Sequence, residues 1–466
     1  MKPNILIIVA DQQRYDCIGY AGKYPVQTPN IDKLAGEGAW FANAYTPIPI
    51  CAPARQSFLN GRRPETFGAL WNYGITLDIP ALEPNEYTWV RDIGKEGYQS
   101  AFIGKWSGHP VHGPLEYGFD HAVSLEEYNT FRKEKYPDLE YKGGWMGEVD
   151  PVPYQDNVSH WLADKAIEQM KQYAHEARPW HIRLDFPGPH LPCRPSREFA
   201  QLYRGEDIPP WPSFKEDFHK KPYIQMQQLY SWDIENYTWE DWQDTVAYYY
   251  ATITEIDHAV GRVLKALEDI GQADNTIVIY TSDHGDMCGS HRMLDKHYIM
   301  YDDVVKVPLA VRWPGVIPPS LIVEEFVCHF LDLPATLLDI LDKEIPEFFS
   351  GRSLLTLLRG EKADDWRKEA IATYNGQQFG LYTQRMIRTH DWKYVWNTTD
   401  IDELYDLKRD PHELYNVIDR EENAEIIKEL RRRLYETLIR EGDGLVKSHW
   451  MKNQLLNNKK INITAR

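Results

Sequence analysis

Three short stretches of this chain carry residue types that bind metals, move protons or act as nucleophiles. Asp11-Gln12 directly follows an apolar run and offers a carboxylate and an amide oxygen, hard ligands of the kind Ca2+ and Mg2+ take. Thr281-Ser282-Asp283-His284-Gly285-Asp286 follows a second such run. It sets another carboxylate beside an imidazole, a frequent metal ligand and otherwise a proton shuttle. The third stretch is Cys51-Ala52-Pro53-Ala54-Arg55, followed by Leu59-Asn60-Gly61. Each has an ordinary reading as well. An Asp after a strand caps a helix or forms a turn, and a lone Cys is a small buried hydrophobe. Read as chemistry, a thiol near an arginine is a low-pKa nucleophile. A soft thiolate beside a hard, oxygen-ligated cation is an odd pairing, and the chemistry makes more sense if residue 51 presents an oxygen. Lys105, Lys296 and the Arg62-Arg63 pair read either as surface ion-pair partners or as anion contacts. His109, His190, His291 and His297 read either as structural or as proton carriers.

These groups need a scaffold that brings distant segments to one place. Continuous apolar runs at 4–9, 98–103, 181–186, 276–281 and 307–312 read as strands covered on both faces. Helical spacing at 157–177 and 245–270 alternates with them, which predicts an α/β fold with a large, mostly parallel sheet flanked by helices. Parallel neighbours then set Asp11, Gln12, Asp283 and His284 at one sheet edge, where ligands of open α/β sheets bind. The Pro- and aromatic-rich stretch 187–222 reads as ordered loops over that edge. Beyond about residue 355 the pattern changes to a short antiparallel meander within 371–407 and an amphipathic helix at 421–441. Two domains are expected, 1–355 carrying the site and a smaller C-terminal α+β domain, 356–466.

The 466 residues include 52 basic and 70 acidic side chains, a formal charge of −18. That balance argues against a nucleic-acid partner and requires any anion site to be a local positive pocket. Cys17, Cys51, Cys193, Cys288 and Cys328 are scattered and form no CxxC pair, which excludes a disulfide framework or structural zinc site. No run is long enough for a membrane span. The apolar run before Asp11 is too short for a signal peptide, so a cytoplasmic location is expected, or a periplasmic or secreted one if a signal has been removed. Aromatic residues such as Trp211, Trp232, Tyr237, Trp239 and Trp242 are candidates to stack on sugar rings, or otherwise to fill the core.

Cys51-x-Pro53-x-Arg55 resembles the activation motif of the formylglycine-dependent sulfatases of the alkaline phosphatase superfamily. So do the Asp11 strand end, the Thr281–Gly285 segment and Lys296. Pro187-Gly188-Pro189-His190-Leu191-Pro192 is similar to that family's PHxP loop, and Gly104-Lys105-Trp106 to its GKW turn. Glu403-Leu404-Tyr405-Asp406-Leu407 with Asp410-Pro411 resembles its C-terminal ELYDL…DP stretch. The matches run in family order from residue 4 to about 417, and they lie nearest to the choline sulfatase and phosphonate monoester hydrolase branches.

The resemblance implies that Cys51 is oxidised by a formylglycine-generating maturation enzyme and hydrated to a geminal diol. One diol oxygen would attack the sulfur of a sulfate ester, and the other would then expel sulfate. It implies one divalent cation, with Ca2+ the leading candidate and Mg2+ or Mn2+ as alternatives, held by Asp11, Gln12, Asp283, His284 and the oxygen at residue 51. Family members commonly carry a second Asp where Gln12 stands, so the site here has one carboxylate fewer. Arg55 would hold the diol, Lys105 and Lys296 would bind sulfate oxygens, and His190 would protonate the leaving group. Asn72 matches a sulfate-contacting residue of the two nearest branches. Ser107 stands where many sulfatases have His, with His109 as a candidate replacement. The implied substrate is a small anionic sulfate ester, with a sulfated saccharide as first choice. Two alternatives stay open: a phosphonate monoester or phosphodiester hydrolase using the same site, and an inactive sulfated-glycan-binding relative. A homo-oligomer is also compatible with the sequence.

Overall fold

The computed structural model describes residues 2–461 apart from 76 and 377; the last residues of the expected second domain, 462–466, lie outside the described residues. Eight strands form the larger sheet: β1 (Asn4–Asp11), β2 (Ala39–Tyr45), β3 (Gln99–Gly104), β4 (His121–Ser124), β5 (Trp180–Pro189), β6 (Thr276–Ser282), β7 (Leu309–Arg312) and β8 (Leu321–Cys328). Their order is β4-β3-β5-β1-β6-β7-β2-β8. Only β7 runs antiparallel to its neighbours, β6 and β2. The central strand β1 is buried along its whole length. Alternation sends Ile5, Ile7 and Val9 into one core and Leu6, Ile8 and Ala10 into the other.

Helices cover both faces. On the first, α1 (Cys51–Asn60) packs with α4 (His329–Ile340), where Phe58 stacks on Phe330 at 4.8 Å between ring centroids. On the second, α2 (Val158–Ala174) and α3 (Trp239–Asp269) interleave Leu162, Ala166 and Met170 with Ile256, Val260 and Val263. The smaller sheet is antiparallel, ordered β12-β11-β10-β9, from β9 (Ala370–Gly376), β10 (Tyr382–Arg388), β11 (Trp392–Asn397) and β12 (Glu403–Asp406). Against it α5 (Ala424–Arg440) buries Ile427, Leu430, Leu434 and Leu438, the apolar stripe legible in the sequence. The Thr373 amide of β9 donates to the Pro47 carbonyl at 3.0 Å, which ties the smaller sheet to the segment leading into α1.

The α/β architecture is as expected, and the boundaries differ for physical reasons. The apolar run at 307–312 becomes a strand only from Leu309, after Pro308, which has no N–H to give the ladder. Helix α3 begins earlier than its apolar spacing suggested, because Thr238 and Asp241 form a capping box. β2, β4, β8 and β9 went unread: β8 is an edge strand carrying Glu324 and Glu325, so it lacks the continuous apolar run of the buried strands. Among the described residues no helix is long and apolar enough to cross a membrane.

Candidate active site

The parallel pairing of β1 with β6 sets Ala10 opposite Ser282, so Asp11 and Asp283 emerge side by side at the carboxyl edge of the sheet. The Gln12 amide donates to Asp283 Oδ1 at 3.0 Å and locks the two turns together. Cys51 arrives from another direction as the first residue of α1. One ligand atom from each of Asp11, Cys51, Asp283 and His284 lies within 4.8 Å of the other three, and all four residues are buried. His284 Nδ1 faces the Gly285 carbonyl at 2.9 Å, which assigns the proton to Nδ1. Its Nε2 faces Cys51 Sγ at 3.2 Å; burial opposes the imidazolium, but Asp283 and Cys51 outweigh it and raise the pKa to about 9, so Nε2 would offer a lone pair to a cation only on losing its own proton.

Arg55, one turn into α1, holds this edge together. Its Nη2 donates to Asp11 at 2.8 Å, its Nε to Asp283 at 3.0 Å, and its Nη1 to Asp185 and to the Lys105 carbonyl. Asp185 also accepts from Arg183 at 2.8 and 2.9 Å. Lys105 Nζ sits 2.7 Å from Asp11 and 4.0 Å from Cys51 Sγ, and its side chain is 21% exposed. Burial pushes the Asp11 carboxyl up, but Lys105 and then Arg55 outweigh it and hold the pKa well below the usual carboxylate range. Burial and Asp11 likewise oppose a Cys51 thiolate, while Lys105, Lys296 and His284 favour it and bring its pKa well below the ordinary thiol value.

Lys105 depends on a glycine. Gly104 has φ +110, and a Cβ there would lie 2.0 Å from the Asp185 carbonyl oxygen, which accepts from the Lys105 amide at 2.9 Å. Gly104→Ala is therefore expected to spread β3 from β5 and displace Lys105. The check is thermal melting together with turnover. Both should fall, and an unaltered melt with full turnover would contradict this packing.

Lys296 spends all three of its N–H donors inside the protein: on Gln12 Oε1 at 2.8 Å, Asp295 Oδ1 at 2.9 Å and His190 Nε2 at 3.1 Å. Gln12, expected as a cation ligand, has its side chain engaged within the protein. Its backbone is left-handed at φ +68, its Oε1 accepts from Lys296, and its Nε2 donates to Asp286 and Asp295. The Oε1 keeps a second lone pair. His190 Nδ1 pairs with the Leu191 carbonyl at 2.6 Å, so Nε2 accepts from Lys296; donating a proton from Nε2 requires the imidazolium.

The remaining candidates are dispersed around this centre. Asn72 Oδ1 accepts from the Ala52 amide at 3.0 Å, which places it at the N-terminus of α1 beside Cys51. Ser107 is half-buried on the turn after Lys105. His109 turns away: its Nδ1 accepts from the Val111 and His112 amides, and its ring lies near His112 and Glu83. His291 pairs with Glu216 and stacks on Tyr301, and His297 bridges Asp295 and Tyr374, so both brace the fold around the site. Arg62 and Arg63 pair with Glu86 and Glu441 and line a cavity of about 510 Å³ that Ala370 and Ile371 of β9 and Thr437 and Arg440 of α5 also border. That cavity lies at the far end of α1, roughly 15 Å from Cys51 by helix rise. Sequence reasoning missed Asp185, Arg183 and Asp295 and gave no role to Asp286, although it lay in a stretch already singled out. The first two had a signal: charges two residues apart in a strand read as buried must share one face.

A family model described as Sulfatase matches residues 3–343, and the model of the N-sulphoglucosamine sulphohydrolase C-terminal region matches 289–440. The chain belongs to the sulfatase family. It is 30% identical to the arylsulfatase of Clostridium perfringens, over 98% of both chains. It is 27% identical to the N-acetylglucosamine-6-O-sulfatase of Bacteroides thetaiotaomicron, over 94% of this chain and 86% of that one. The phosphonate monoester hydrolase of Agrobacterium radiobacter shares the fold, with a TM-score of 0.80 and 24% identity over 94% of this chain and 96% of its own. As a sulfatase, the protein is a sulfuric ester hydrolase, and its reaction is the hydrolysis of a sulfate ester.

Proposed function

We propose that this sulfatase removes sulfate from a carbohydrate, using formylglycine formed from Cys51 and one divalent cation. The observation that carries this reading is the buried quartet of Asp11, Cys51, Asp283 and His284, ringed by Arg55, Lys105 and Lys296. The quartet fits a hard cation. Oxygen ligands sit about 2.3–2.6 Å from Ca2+, so ligand atoms around one ion lie about 3–5 Å apart. Two carboxylates, an imidazole lone pair and an oxygen at residue 51 would hold Ca2+, with Mg2+ or Mn2+ as alternatives. A bound cation supplies charge stabilisation and lowers the pKa of a ligated hydroxyl.

The chain's own groups then have separable duties. Residue 51, as a hydrated aldehyde, supplies the attacking oxygen and later expels sulfate through its second hydroxyl, so no water has to attack a crowded sulfur. Arg55 fixes Asp11 and Asp283 in position. Lys105, with its head between Asp11 and Cys51, receives a sulfate oxygen. His190, held against Lys296, moves the proton at the leaving oxygen. Asn72 fixes the first turn of α1 and so the direction of residue 51. The saccharide choice draws on the N-acetylglucosamine-6-O-sulfatase relative.

The test uses protein coexpressed with a formylglycine-generating enzyme and reads sulfate released from sulfated saccharides, aryl sulfates and matched phosphonate monoesters. Sulfate release is expected, with a fall of about 100-fold or more on chelation and recovery with Ca2+, Mg2+ or Mn2+. A phosphonate preferred by orders of magnitude would overturn the substrate class. Tight saccharide binding without turnover by the aldehyde form would make the protein a binding relative.

A further inference from the structure

The aromatic residues divide into two groups that the sequence does not separate. Trp211, Trp239 and Trp242 are buried in the core around α3. Trp232 is only half-buried, packed against the edge of that core, and it belongs to a continuous row. The ring of His297, next to Lys296, lies 6.3 Å from Phe379; Phe379 lies 6.1 Å from Trp232; and Trp232 lies 5.6 Å from Trp145. Trp145, the outermost, is 57% exposed.

Both ends of the row are tied to segments that carry residues of the site, through Tyr298 at one end and Cys193 at the other. Phe379 sits in the β9–β10 turn, where the Tyr298 hydroxyl accepts from the Phe379 amide at 2.7 Å and donates to the Gly380 carbonyl at 2.8 Å. The smaller sheet thus contributes directly to the site. At the other end, the Trp145 loop is bonded to the loop of His190. The Glu148 amide donates to the Cys193 carbonyl at 3.2 Å, and the Glu148 carboxylate accepts from the Lys142 and Gly143 amides. Gly147 packs so closely on Cys193 that a Cβ would lie 2.3 Å from its carbonyl oxygen. A tryptophan this exposed gains little from the core, yet its loop is fixed by three hydrogen bonds and a backbone contact. Rigid aromatic surface beside a polar, cationic pocket suits a ligand with an apolar face and a hydroxylated rim. A pyranose ring has both.

We propose that Trp145, Trp232 and Phe379 form a saccharide subsite that binds the part of the substrate beyond the sulfated ring, so that the enzyme prefers sulfated oligosaccharides over monosaccharides. Three ring-to-ring steps lead from His297 out to Trp145, so the row runs from the buried surroundings of Lys296 towards solvent. This inference rests on the reading of the Cys51 site as a sulfated-saccharide hydrolase and adds to it a specificity that the four-residue cluster does not contain.

The experiment compares kcat/KM on a sulfated amino-sugar disaccharide with that on the corresponding monosaccharide sulfate, for the wild type, Trp145→Ala and Trp450→Ala. Trp450, 80% exposed on the C-terminal helix His449–Asn457, controls for loss of any surface tryptophan. Trp145→Ala is expected to lower the disaccharide-to-monosaccharide ratio about tenfold, through KM, and Trp450→Ala to leave it where it is. Binding is read separately by titrating intrinsic fluorescence of Cys51→Ala with the same disaccharide, with and without Trp145. An unchanged ratio in Trp145→Ala with normal turnover overturns the subsite and leaves the hydrolase standing. Trp145-dependent binding of the disaccharide by a protein that releases no sulfate sustains the subsite and removes the hydrolase. A shift in sedimentation coefficient on Trp145→Ala would identify the row as a self-association face and overturn the proposal.

Discussion

Cys51→Ala is expected to lower kcat/KM for any sulfate ester by about 10⁵- to 10⁶-fold, the usual consequence of removing a covalent nucleophile. The fold should survive, because residue 51 starts a helix whose packing is carried by Phe58 and Leu59, and alanine suits that position. The melting temperature should therefore move by a few degrees at most. Cys51→Ser separates two parts of the claim. A serine oxygen can attack sulfur once, but its adduct lacks the second hydroxyl that expels sulfate. The expected result is one equivalent of alcohol released per enzyme and a persistent sulfated protein, read by rapid quench and intact mass. Continuous turnover by either variant would remove residue 51 from the reaction.

Arg55→Ala is expected to act on the fold as much as on the rate. Asp11, Asp185 and Asp283 are all wholly buried, and Arg55 contacts all three. Taking one partner from a buried charge cluster leaves the others uncompensated, at a cost of about 3–5 kcal/mol. Arg183 still faces Asp185 and Lys105 still faces Asp11, but Asp283 loses its only contact, among the described residues, with an arginine or lysine. Arg55→Lys should recover part of the loss, since one ammonium cannot reproduce the planar fork that reaches the carboxylates and the Lys105 carbonyl together. The effect has a pH signature. Asp11 has its pKa held well below the unfolded value, so its stabilisation is complete above the unfolded pKa near 4 and disappears as pH falls through the folded one. The gap between wild type and Arg55→Ala, measured by urea unfolding, should be full at neutral pH and narrow on acidification below about pH 4. A gap that widens with acid would contradict the assignment.

Much of this site could be read before any coordinates, because two of its contributors sit at the carboxyl ends of strands whose apolar runs are continuous. Asp11 and Asp283 needed only the inference that those runs are parallel neighbours, and β1 does pair with β6. Cys51 and Arg55 lie one helical turn apart, so a single helix presents both to the same place. The arrangement around Lys296 was not legible. Gln12 and Asp295 both have left-handed backbones, at φ +68 and +67, and this reverses where their side chains point without altering the residue pattern. Gln12 accepts from Lys296 through its Oε1, a contact the residue pattern does not announce. The surroundings of His109 were not legible either: its loop folds so that the imidazole accepts from backbone amides of that loop. The edge strand β8 escaped because strand patterns weaken where only one side is covered.

The central claim, that residue 51 acts as an aldehyde hydrate, is tested most directly by the mass of the Cys51 peptide alongside turnover. Protein coexpressed with a formylglycine-generating enzyme should show that peptide about 18 Da lighter, the elements of hydrogen sulfide exchanged for one oxygen atom. Across preparations matured to different extents, the specific activity should rise in proportion to the lighter fraction and extrapolate to zero where all of residue 51 is thiol. Full turnover by protein whose Cys51 is entirely unmodified would contradict the account.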